Sequence, residues 1–416
     1  MIHFTRSPRL AALSACFTVV VALLAGCGGG SSGGSSSGSS DSTTGTTTSA
    51  SSQPASTATA SDPNVAVVTV EQGPGNNVNI PYVTVTLCIP GTSTCKSIDH
   101  VLLDTGSTGL RIFASNLSAS PAVTLPAYSV GGSSTISECA QFLSSVAWGS
   151  IKTADVTIGN KTASSVAVQV MNPNMPAGLT SVCSSSPVMV APGTATNSSQ
   201  TELSANGILG VSLFNNDGQV YFNCASPTLA CRTSLLASQQ VRNPVTQFSS
   251  DNNGVVVQLP ALSAVGSASA QGLLIFGVGT RSNNGLGSAN VVPTDRSGFF
   301  TTTYKGSALS MSFIDSGSNG LFFDDSSIAT TSSGFYAPAS SLSLSAILGS
   351  TTVNFTIANA NTLFQGSSYA FNNLGGTLAN GYFDWGLPFF FGRSVYTVVE
   401  GKTVGTQTGP FYAFTN

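Results

Sequence analysis

The sequence predicts an all-β chain built as two related lobes, and three observations carry that expectation. Strand-like segments follow one another along most of the chain, charged residues are scarce, and one short motif occurs twice, about half a chain apart. The segments are residues 65–70, 82–87, 101–103, 156–158, 166–170, 255–259 and 273–276. Each is rich in apolar and β-branched residues, Gly, Asn and Pro punctuate the chain between them, and no long helical periodicity competes. Of the 416 residues, 41% are hydrophobic but only 7% are charged, against roughly 25% in ordinary globular proteins. Ser, Thr, Asn and 44 Gly fill the difference. That surface suits strands and turns, whereas exposed helices draw on Glu, Lys and Arg.

The repeated motif is the sharpest of the three. Val101-Leu102-Leu103-Asp104-Thr105-Gly106-Ser107-Thr108-Gly109-Leu110 is matched by Ser312-Phe313-Ile314-Asp315-Ser316-Gly317-Ser318-Asn319-Gly320-Leu321. From the Asp onward, five of seven positions are identical, and the copies lie 211 residues apart. A lone Asp-Gly loop is ordinarily a turn that its Asp caps. Two copies, each entered by an apolar strand and each in its own half, need another explanation. Each is also followed by an apolar-Gly element, Ala205-Asn206-Gly207-Ile208-Leu209-Gly210-Val211 and Trp385-Gly386-Leu387-Pro388-Phe389-Phe390-Phe391-Gly392-Arg393.

Charge and histidine content exclude several function classes. The net charge is −3, and no two basic residues are adjacent, so no nucleic-acid partner is expected. His3 and His100 are the only histidines. His3 falls in a segment expected to be removed, and one histidine cannot build a multi-His metal site. No metal and no cofactor are expected. His100 sits just before an apolar run, as a strand-edge residue does. Hydrolytic chemistry would then fall on carboxylates.

The N-terminus reads as an export signal. Arg6 and Arg9 precede a mostly apolar run that ends in Leu24-Ala25-Gly26-Cys27, which resembles a bacterial lipobox. Residues 1–26 would be a lipoprotein signal peptide, with Cys27 acylated and membrane-anchored. The apolar run is shorter than the ~20 residues needed to span a bilayer. Gly rather than Asp at residue 28 favours the outer over the inner membrane. Residues 27–64 would form a disordered Gly/Ser/Thr tether. Six further cysteines in an exported chain imply disulfides. Cys88 and Cys95 enclose a turn at Pro90-Gly91, and Cys224 and Cys231 enclose one at Ser226-Pro227, which leaves Cys139 with Cys183. No C-x-x-C spacing supports metal instead.

Taken with the repeat, these stretches resemble the pepsin-like aspartic peptidases. That family has an Asp-Thr-Gly loop in each lobe and an apolar-apolar-Gly strand threading behind each loop. Gly272-Leu273-Leu274-Ile275-Phe276-Gly277 and Arg393-Ser394-Val395-Tyr396-Thr397-Val398 also agree in order. The resemblance runs from about residue 65 to the end and extends to a group of uncharacterised bacterial lipoproteins known by a domain-of-unknown-function label. It implies a bilobal, double-barrel architecture with lobes at 65–245 and 246–416. It also implies a catalytic pair, Asp104 and Asp315, with Gly106 and Gly317 permitting close approach of the loops. Thr105 and Ser316 would bond across to the opposite loop, and Ser107 and Ser318 would donate to the carboxylates. Peptide or unfolded protein would be the substrate, cut by a monomer at the cell envelope. The alternative is a non-catalytic pepsin-fold lipoprotein that binds peptide or another envelope component between the lobes.

Two positions depart from the family. Its substrate-covering flap carries a Tyr, for which Trp148-Gly149 is the available aromatic-Gly pair here. Arg111 stands where relatives have a Trp supporting that flap. Pairing with an acidic substrate group, with Asp155, or with solvent are all open to it. The family's zymogens blanket the site with a basic prosegment, and residues 28–64 contain no Lys or Arg.

Overall fold

The computed structural model describes residues 57–119, 121–132, 135–142, 146–172, 183, 203–225 and 228–416. The expected signal peptide, Cys27 and most of the expected tether lie outside them. The architecture is all-β, as the alternation of residue types predicts. One sheet of fifteen strands holds the first half and the centre, and a sheet of seven strands holds most of the second half. Among the described residues the α-helices are short, as at Ala114–Ser118 and Ala360–Leu363. No helix among the described residues is long and apolar enough to cross a membrane.

The strand Val65–Val70 joins the halves. It runs antiparallel to Ala270–Phe276, which pairs in turn with Gly254–Gln258, and that with Ser394–Val398. One apolar core runs through both halves, from Val68 and Leu103 to Ile314 and Phe414. In the second half it turns aromatic, with Phe383 stacked between Phe323 at 4.8 Å and Trp385 at 4.2 Å. Asp251 clamps a second junction, paired with Lys161 and with Arg281 at 2.9 Å. Although burial opposes its ionisation, hydrogen bonds from Arg281, Lys161 and Thr280 hold it down at about 2.

The tether ends earlier than expected. Thr59 donates to Asp62 at 2.8 Å, and the buried Asn64 donates to the Phe276 carbonyl at 2.9 Å. Residues 57–64 therefore join the folded body, because Asp62 accepts from Asn283 and Asn64 donates to Phe276, both in the second half. The cysteines pair as 88–95, 139–183 and 224–231. His100 adopts a positive φ at a bulge in its strand and packs edge-on against Tyr82.

Candidate active site

Each aspartate ends a buried strand, and each loop is closed by its own carboxylate. Gly106 N–H donates to Asp104 Oδ1 at 2.9 Å, and Gly317 N–H donates to Asp315 Oδ1 at 2.7 Å. The Ser107 hydroxyl donates to Asp104 Oδ2 at 2.5 Å, and that of Ser318 to Asp315 Oδ2 at 3.0 Å. The loops then interlock. Thr105 N–H donates to Ser316 Oγ at 3.1 Å, Ser316 N–H to Thr105 Oγ1 at 2.9 Å, and Ser316 Oγ–H to the Leu103 carbonyl at 2.7 Å. The structure brings all eight residues of the two loops together, and the Thr105, Ser107, Ser316 and Ser318 hydroxyls make the bonds expected of them.

The glycines set how close the carboxylates can come. A Cβ on Gly106 would lie 2.5 Å from Asp315 Cγ. One on Gly317 would lie 2.7 Å from Asp104 Oδ1 and 3.1 Å from Asp315 Oδ1. A single carbon there would touch both inner oxygens, so any side chain at either glycine would wedge the pair apart. Both aspartates are buried.

The same topology supports both loops. Gly207–Val211 lies parallel to the strand entering the Asp104 loop and antiparallel to the strand leaving it. Tyr382–Trp385 does the same for the Asp315 loop. Gly210 and Gly386 lie tight beneath the loops, where a Cβ would meet the Ser107 carbonyl at 2.7 Å and the Gly320 carbonyl at 2.1 Å.

Sequence reasoning missed a third carboxylate behind the pair. Asp384 is buried in the threading strand of the second half, and its Oδ1 has no partner. Burial pushes it up to about 7. The charge of Asp104 adds to the rise, and hydrogen bonding with Ser318 opposes it. The signal was available, since Tyr382-Phe383-Asp384-Trp385 places one acid inside an aromatic strand.

Arg111 takes none of the three partners open to it from sequence. It is buried, donating to Glu138 at 2.7 Å, Asp217 at 2.8 Å and the Thr108 carbonyl at 2.6 Å. Asp155 instead accepts from Gly91 and Ser165 N–H groups. Burial alone would lower the guanidinium's pKa, but the two carboxylates outweigh it. Asp217 is pushed well above the usual range by burial and by Glu138 beside it. Two acids therefore face one cation. Glu138 and Asp217 were missed because strand pairing gathers them across the chain. Glu138 within Ile136-Ser137-Glu138-Cys139-Ala140 was the available signal.

Trp148-Gly149 is not a flap tip. Trp148 is buried, 5.5 Å edge-on from Phe222 and clustered with Cys139 and Cys183. Gly149 lies against the Val170 carbonyl. Both lie within the paired strands of the hairpin formed by Ile136–Gln141 and Val146–Ile158, Trp148 opposite Cys139 and Gly149 opposite Glu138. A large indole placed there gains more from core packing than from exposure. Residues 143–145, between the strands, lie outside the described residues. Phe142 beside them sits over the Arg111 guanidinium at 5.6 Å.

Comparisons with known proteins agree with this fold. A family described as protein of unknown function (DUF3443) matches residues 60–414. Among solved structures, the chain is similar to the aspartic proteinase from Irpex lacteus, with 17% identity and a TM-score of 0.50. That likeness covers 84% of this chain and 96% of the other, and it establishes the bilobal fold. No curated protein matches.

Proposed function

The chain belongs to the DUF3443 family, and from that footing we propose that it is an aspartic endopeptidase using Asp104 and Asp315 as its acid–base pair. One observation carries the reading: two interlocked loops bring both carboxylates within reach of a single carbon position, each steadied by its own backbone N–H and serine hydroxyl. One carboxylate, ionised, would take a proton from water as its oxygen attacks the peptide carbonyl. The other, protonated, would donate to the carbonyl oxygen as charge develops there. Collapse of the tetrahedral intermediate then breaks the C–N bond, with a proton passing to the leaving amine. The substrate is peptide or unfolded protein, and the enzyme acts as a monomer.

The test is digestion of an unfolded protein from strongly acidic to neutral pH. Asp104→Asn and Asp315→Asn should each lower the rate by roughly 10²–10⁴-fold, as for loss of one acid–base partner. The double variant should be no slower than the slower single, because the two act as a unit. A folded wild-type protein that cleaves nothing across that range would remove the reading. Peptide binding without cleavage is then the second reading, favoured by the burial of Trp148 in the core.

The same proposal places the enzyme on the bacterial envelope, on the outer rather than inner membrane, held by acyl chains on Cys27. Cys27→Ser should abolish palmitate incorporation, and unchanged labelling would refute the anchor.

A further inference from the structure

Strand register gathers one row of residues onto a single face of the second-half sheet, starting at the Asp315 loop. Phe313, two positions before Asp315, pairs with Asp384, Asp384 with Phe322, and Phe322 with Gly376. A bridge then joins Gly376 to Phe335. Residues paired directly across strands project to the same face. Phe322 and Phe335 are half-buried, and their ring centroids lie 6.0 Å apart. Phe335 meets Phe364 at 5.4 Å, and Phe364 is 43% exposed. Aromatic surface therefore runs from beside the aspartate pair out to solvent.

Two glycines make the room for it. A Cβ on Gly320 would lie 3.0 Å from the Phe322 ring, and one on Gly376 would lie 2.9 Å from it. Neither glycine has a positive φ, so what the missing side chains provide is space for that ring. The first half borders the same surface. Asn79 donates to the Asn319 and Phe371 carbonyls, both at 2.9 Å, and Val78 packs against the same core cluster as Phe335. The patch thus lies where the two halves meet, as the aspartate pair does. Residues 317–323, 331–337, 359–364 and 372–379 include no Asp, Glu, Lys, Arg or His. A charged group laid there would lose water and gain no partner from these segments, whereas an apolar one gains by burial.

We infer that Phe322, Phe335 and Phe364 form a subsite for one aromatic or large aliphatic side chain of the peptide substrate, at a distance from the bond that is cut. Neighbouring strands are about 4.8 Å apart, so Phe322 lies roughly 10 Å and Phe335 roughly 19 Å across the sheet from Phe313. An extended peptide advances about 3.3 Å per residue, which puts the bound side chain about three to six residues from the cut. The subsite rests on the proposed peptidase reading and adds a selection rule to it. The aspartate pair sets where water attacks, and the rings set which chains are held for it.

A pooled synthetic decapeptide library tests this, with its cut sites mapped by mass spectrometry. The wild-type protein should show aromatic or large aliphatic residues enriched at one position about three to six residues from the cut. Phe335→Ala should erase that enrichment and lower kcat/KM roughly ten-fold for a peptide with Phe there, through KM rather than kcat. The twin peptide with Gly there should be cut equally by both proteins. Should Phe335→Ala misfold, Phe364→Ala at the exposed end supplies a second arm, with a several-fold rise in KM expected. No enrichment at such a position would overturn the inference, as would enrichment unchanged by both substitutions. A wild-type protein that cuts nothing would remove the peptidase reading, and binding then decides the subsite. Immobilised Asp315→Asn protein should retain library peptides rich in aromatic residues, and Phe335→Ala in that background should lose the preference. No retention, or retention without that preference, would overturn the subsite as well.

Discussion

The two halves build the same loop on different foundations. Around the aspartates they match in the bonds each carboxylate accepts, one from a glycine N–H and one from a serine hydroxyl. One layer further back they diverge. Arg111 pairs across the sheet with Ile208, whereas at the equivalent place in the second half Phe322 pairs with Asp384. The first half buries a cation and surrounds it with two acids. The second buries an acid and leaves one of its oxygens unsatisfied. Duplicated geometry persists where two loops must meet and is free to drift where each half packs against itself. The drift has left two buried charges of opposite sign and unequal compensation.

Removing the compensated charge should have the largest effect. Arg111→Met strands Glu138 and Asp217 together in the core, and urea denaturation at neutral pH should show a loss of roughly 3–5 kcal/mol. A loss below about 1 kcal/mol would mean that the acids neutralise themselves without it.

Asp384 should respond in the opposite sense, and only at high pH. Its folded-state value of about 7 stands above the ordinary 3.8. Its contribution to stability is therefore fully present below the ordinary value and is lost as pH rises through about 7. Asp384→Asn should change little in acid. Above neutrality it should stabilise the protein by up to ~4 kcal/mol, because each pH unit between the folded and unfolded values is worth about 1.36 kcal/mol. Equal effects of this substitution at both ends of the pH range would show that the carboxyl does not titrate there. The smallest effect belongs to Phe322, which is partly exposed and meets Phe335 at 6.0 Å. Phe322→Leu should cost about 1 kcal/mol and leave pH dependence untouched.

The divergence also explains what could be read from the sequence. The loops were legible because the eight residues that form them sit in two unbroken runs, each announced by the other. The alternation of Val and Thr marked the strands, and turn-rich spacing marked two disulfides directly. Asp384, Glu138 and Asp217 were not legible as a group, because each stands alone in its own segment. Glu138 meets Arg111 across 27 positions and Asp217 meets it across 106. Trp148 misled for a related reason. Aromatic-Gly is a local pattern, whereas core or tip is decided by which residues face it, here Phe222 and the Cys139–Cys183 bridge. Asn64 misled because its composition is that of the linker, while its partner is the carbonyl of Phe276.

The pairing of Val65–Val70 with Ala270–Phe276 has a consequence for the order in which the chain is made. The first strand finds its main partner only after some two hundred further residues exist, which at ~5–20 residues per second takes roughly 10–40 s. Until then one edge of that strand stays open, along Val65 and Val68, both buried in the finished molecule. A free apolar strand edge is a template for any neighbouring copy. The interval of greatest hazard is thus set by the distance along the chain between two strands, and no gain in final stability would shorten it.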